Sequence, residues 1–114
     1  MGDGKAYINL EAALARLRGN EAVFKSLLRK YAERDDFERL SSDLAKSDVD
    51  AAAKTVHTIK GAAGNLSLDE VYKLAVQAEA LFKGRLPYEE SVGELLEAQR
   101  ETLNRIDSYA GRKG

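Results

Sequence analysis

The chain has 114 residues, room for one domain of ordinary size and too little for two. Its 18 Lys and Arg stand against 19 Asp and Glu, so it lacks the basic excess of a nucleic-acid binder, and its 44% hydrophobic content supplies a core rather than a disordered chain. The absence of Cys excludes disulfides, thiolate metal sites and a Cys nucleophile, and a single His excludes zinc sites that need two imidazoles.

The apolar residues are 17 Ala and 15 Leu against 6 Val, 3 Ile and 3 Thr, a choice that loses little side-chain freedom in helices and ill suits strands. In chain order, Asn9 caps a short helix through Leu17, which Gly19 ends, and Asn20 caps the next. That second helix places Phe24, Leu27, Leu28 and Tyr31 on one face; the stripe then steps sideways to Phe37, Leu40 and Leu44, which predicts an irregularity near Asp35 and Asp36. Ser47 or Asp48 starts a third helix running to about Asn65. Ser67-Leu68-Asp69-Glu70 has the form of a capping box that opens a fourth helix, ending near Lys83. After the loop Gly84-Arg85-Leu86-Pro87, a last helix from Tyr88 to about Ala110 buries Val92, Leu95, Leu96, Leu103 and Ile106. The expected fold is all-α, an antiparallel up-down four-helix bundle with a short additional N-terminal helix. One domain spans 5–110, with flexible tails at 1–4 and 111–114. No apolar run approaches the roughly 18 residues of a membrane span, and no signal peptide opens the chain, so a soluble, cytoplasmic monomer is expected.

The third helix departs from a generic pattern. At about 3.6 residues per turn, Val49, Ala52, Val56, Ile59, Ala63 and Leu66 form one core stripe. His57 lies more than about 90° away from its centre and faces solvent. Its helical neighbours are Ala53, Gly61 and Gly64, all small, with Lys60 one turn on. Each helical glycine costs about 1 kcal/mol relative to Ala, so Gly61 and Gly64 need a reason: close packing against another helix, or bare backbone that lets a second molecule reach His57. On the fourth helix, Leu68, Tyr72, Ala75, Glu79 and Phe82 follow one line, which sets the Glu79 carboxylate at the edge of the apolar face. Gln77 and Lys54 read as solvated surface.

The segment His57-Thr58-Ile59-Lys60-Gly61-Ala62-Ala63-Gly64-Asn65-Leu66 resembles the signature of histidine-containing phosphotransfer domains, roughly His-x-x-Lys-Gly-x-x-x-x-Leu. The Leu17–Glu21 opening, the long second helix and the turn after Leu66 are also similar to that family, while Ser67 stands where members often have Gly. The resemblance implies that His57 accepts a phosphoryl group from a receiver-domain phosphoaspartate and passes it to another receiver. It further implies that Lys60 offsets phosphoryl charge and that Glu79 orients the imidazole by bonding one ring nitrogen. Ala53, Gly61 and Gly64 would form the face over which the partner docks. The chain would have no cofactor of its own, Mg²⁺ being supplied by the receiver, and no metal site. Without a Gly-rich nucleotide loop it would be a carrier rather than an enzyme. Its expected partners are response-regulator receivers and a hybrid sensor histidine kinase, with neither nucleic acid nor membrane. Two alternatives stand beside this: a phosphoacceptor module excised from a chemotaxis-type or hybrid sensor kinase, and a helical interaction module in which His57 is inert. A free-standing enzyme with His57 as general base is disfavoured, because an exposed helix face offers no cleft and no second catalytic group.

Overall fold

Helix ends in this protein follow from which side chains can satisfy free backbone groups. The computed structural model describes residues 7–111, so the expected tail at 1–4 and, apart from Gly111, the one at 111–114 lie outside the described residues. Six helices and no strands are present among those residues: α1 (Leu10–Arg16), α2 (Glu21–Ala32), α3 (Asp36–Ala45), α4 (Val49–Asn65), α5 (Asp69–Lys83) and α6 (Glu89–Tyr109). Asn9 Oδ1 accepts from the Ala12 N–H at 3.2 Å, Asn20 Oδ1 from Val23 at 3.1 Å and Asp48 Oδ1 from Ala51 at 3.0 Å, so the polar caps expected for the first two helices are used, and Asp48 rather than Ser47 caps α4. Gly19 ends the first turn region with φ +79°, a conformation that costs glycine little.

The irregularity expected near Asp35 is a full break, and α2 and α3 are separate helices. Arg34 lies between them and donates from Nε to the buried carboxylate of Asp36 at 2.5 Å. Asp36 and Glu38 in the first turn of α3 suit its positive end.

The capping box is a correction. Ser67 does not cap α5; its φ of +58° closes α4 instead, with the Leu68 N–H reaching back to the Ala63 carbonyl at 2.9 Å. Leu68 is the residue before α5, the Ser67 hydroxyl is buried without a partner, and Glu70 pairs with Lys73 at 3.2 Å. A left-handed residue after a helix is the usual place for glycine, which is the physical reason a serine is unusual at this turn. Leu96 is the other correction. It is 41% exposed, because α6 turns Val92, Leu95, Ala98, Thr102 and Ile106 inward and leaves Leu96 about 100° beyond Leu95.

The helices pack as the pairs α3–α4, α4–α5, α5–α6 and α2–α6, with α1 against α2. The core between them is built from Phe24 and Leu28 of α2, Leu40 of α3, Val56 and Ile59 of α4, Val71 and Phe82 of α5, and Leu95 and Ile106 of α6. Polar ties fix the ends. Tyr31 Oη donates to Gln99 at 2.5 Å and Tyr109 Oη to Glu21 at 2.6 Å, joining α2 to α6. Arg16 of α1 donates to the Gly64 and Asn65 carbonyls at 3.0 and 2.9 Å, covering the open C-terminal end of α4 with a cation.

Candidate functional site

The α4–α5 pair decides where the chemistry sits. On α4 the buried face of Ala52, Val56, Ile59 and Ala63 turns the next position outward, so the His57 side chain is 65% exposed. On α5 the buried run Ala75, Ala78 and Phe82 carries Glu79 with it, leaving that side chain only 7% exposed. Phe82 is clamped by the Tyr88 ring, 4.9 Å between centroids, which fixes this end of α5 against the core. The tight packing of small Ala side chains at the seam brings the two polar positions together.

Glu79 is the centre of the arrangement. Its Oε2 lies 3.0 Å from His57 Nδ1, its Oε1 accepts from Lys60 Nζ at 2.8 Å, and Lys83 Nζ reaches Oε2 at 3.0 Å. Burial alone pushes this carboxyl up and is the largest single influence, but the hydrogen bonds from Lys60, Lys83 and His57 together outweigh it and hold the group down to about 2. An ionised carboxylate only accepts hydrogen bonds. Nδ1 of His57 therefore bears a proton, and in the neutral ring the lone pair is left on Nε2.

Three sequence-expected residues, His57, Lys60 and Glu79, are thus assembled in one hydrogen-bonded group. Ala53 lines the shallow recess beside His57 together with Lys54, Thr58, Glu79 and Lys83. The two glycines differ. A Cβ on Gly61 would meet nothing within 4 Å, so no internal packing explains it, whereas one on Gly64 would press on the Tyr72 ring at 3.2 and 3.3 Å. Gly64 has a packing reason of its own. Lys54 and Gln77 are exposed, as expected of solvated surface. Lys83 is the residue the sequence reading missed, although its place four residues after Glu79 is the usual spacing for a helical ion pair.

Among the described residues no three His, Cys, Asp or Glu side chains gather where they could hold a metal ion, and no helix is long and apolar enough to cross a membrane. Among the described residues lining the recess beside His57, the carboxylate is Glu79, engaged by three nitrogen donors.

The fold and site define an all-helical domain with a solvent-facing imidazole tied through one nitrogen to a buried carboxylate. The family model described as Hpt domain matches residues 32–109, from the end of α2 through α6. The chain belongs to the Hpt-domain family, the histidine phosphotransfer modules that work with receiver domains in two-component signalling. No protein of curated function and no solved structure matches it.

Proposed function

We propose that this domain is a phosphorelay intermediate in which His57 is the phosphoacceptor. The observation that bears most weight is the Glu79 contact, which supports a neutral ring with its proton on Nδ1 and its lone pair on Nε2. The Nε2 lone pair attacks the phosphorus of a receiver's aspartyl phosphate. As the N–P bond forms, the P–O bond to the aspartate breaks and its carboxylate leaves with the electron pair. Positive charge grows on the imidazole ring, and the adjacent Glu79 carboxylate stabilises it through Nδ1–H. Transfer to a second receiver is the same step reversed onto another aspartate. Phosphoryl transfer asks mainly for in-line positioning and charge stabilisation. Lys60 contributes a cation one turn from the nucleophile. Mg²⁺ held by the receiver's own acidic pocket would offset charge on the phosphoryl oxygens.

The approach is over the face of Ala53, Gly61 and Gly64. Gly61 adds no side chain there, and Gly64 lets Tyr72 lie close to α4. The packing pairs support an antiparallel four-helix bundle in which α2 and α3 together form one broken arm and α1 lies outside it. The domain acts as a carrier without turnover of its own.

Incubation with a phosphorylated receiver and Mg²⁺ should label the protein with a phosphoryl group that is lost in acid and survives alkali, and His57→Gln should remove it. Undiminished labelling of that variant would overturn the assignment, and a wild-type protein that takes no label would leave the inert interaction module as the better reading.

A further inference from the structure

The Glu79 carboxylate holds two cations, Lys60 and Lys83, beyond the imidazole that a tautomer lock for His57 requires. Oε1 serves Lys60 at 2.8 Å, but Oε2 is shared between His57 Nδ1 at 3.0 Å and Lys83 Nζ at 3.0 Å. Lys83 sits one helical turn beyond Glu79, next to Phe82, which is buried under the Tyr88 ring. Its side chain is 67% exposed and nonetheless ends on an oxygen of a carboxylate that is almost wholly buried.

An ionised carboxylate against an imidazole has two opposed effects. It fixes the N–H, which helps the reaction, and it favours the doubly protonated ring, which has no lone pair and cannot attack phosphorus. A cation on the same oxygen weakens the second effect while leaving the hydrogen bond in place. We propose that Lys83 is a positioning residue for transfer at His57: by occupying the Oε2 that His57 also uses, it withholds part of the Glu79 charge from the ring and keeps the imidazole in its neutral form with Nε2 free.

The inference rests on the reading of His57 as the phosphoacceptor. The charged groups around the ring are Lys54 and Lys60 on α4 and Glu79 and Lys83 on α5. On the other flank of α4, α3 brings Asp43, whose carboxylate accepts from the Thr55 hydroxyl at 2.7 Å, and Asp50 at the start of α4 is paired with Arg85 at 2.8 Å. Among the described residues Glu79 is held by Lys60, Lys83 and His57, and of the two lysines it is Lys83 that shares the oxygen His57 uses.

The test compares Lys83→Met, which keeps the apolar stem, with Lys83→Arg and with Lys73→Met, a control that breaks the surface pair with Glu70 on the same helix. Nitrogen-detected NMR of the unphosphorylated domain reads the His57 tautomer and its titration midpoint. Lys83→Met should raise the midpoint by about 0.5–1 pH unit, the effect of a unit charge at roughly 6 Å in a largely aqueous medium. The acid limb of the pH–rate profile for receiver-dependent transfer should move by the same amount, about three- to ten-fold slower transfer on that limb. Lys83→Arg should restore both, and Lys73→Met should move neither. A Lys83→Met midpoint that coincides with wild type, with His57 still labelled, overturns the role of Lys83. Failure of wild-type His57 to take the label overturns the phosphotransfer reading itself, whatever the titration shows.

Discussion

Replacing Glu79 by Gln removes the charge at the centre of the site while keeping its shape, and the structure sets the size of the effect. The carboxyl is held down from 4.5 to about 2 by hydrogen bonds that overcome its burial. At face value that displacement is worth about 3 kcal/mol, at about 1.4 kcal/mol for each pH unit. Two of the three donors, Lys83 and His57, are 67% and 65% exposed, so water screens their share and about 1–2 kcal/mol is the expected contribution. A carboxyl lowered by folding stabilises the fold above its unfolded value, and that contribution is lost as the pH falls through the folded one. Glu79→Gln should therefore be less stable than wild type by about 1–2 kcal/mol at pH 7. The gap should shrink as the pH falls from about 4.5 towards about 2, where wild-type Glu79 is itself protonated. Urea unfolding of both proteins across this range measures the gap directly. A gap of the same size at pH 2.5 as at pH 7 would show that shape and not charge is what Glu79 supplies, and equal stability at pH 7 would show that the ion group adds nothing to the fold.

Gly61→Ala should be neutral or stabilising by up to about 1 kcal/mol, because the added methyl meets nothing and Ala is the better helix former. Gly61→Gln should fold as well as wild type yet accept phosphate from a receiver at least about ten-fold more slowly, since a displacement of about 1 Å in the docked pair costs on the order of 100-fold; small donors such as phosphoramidate should be less affected. Thermal melts and transfer rates on one preparation decide this: unfolding by Gln at 61, or an unchanged rate, would each remove the docking argument. Lys60→Ala should slow transfer by about five- to ten-fold with only modest loss of stability; equal rates for variant and wild type at low and physiological salt would make Lys60 a partner of Glu79 only.

Helical class, most helix ends and the exposure of His57 were legible in the sequence because they are local. Asn9, Asn20 and Asp48 cap through their own short side chains, and the period of Ala52, Val56, Ile59 and Ala63 sets which way His57 faces. Ser67 shows where local reading fails. The Ser-x-x-Glu pattern fits a capping box, yet the chain needs a left-handed residue there to turn α4 into α5, and that demand comes from the packing of the two helices. Leu96 fails similarly, since only the neighbours of α6 decide which of its apolar residues meet the core. The site was half legible: the sequence placed His57 and Lys60 on one face and Glu79 at the edge of another. What joins them is long-range, 22 residues from His57 to Glu79, and depends on the distance at which α4 and α5 pack. The same packing separates the two glycines, leaving Gly61 open and setting Tyr72 on Gly64. It also turns the ordinary helical pair of Glu79 and Lys83 into part of the environment of the histidine, because a side chain on one helix cannot register in sequence what the neighbouring helix brings to it.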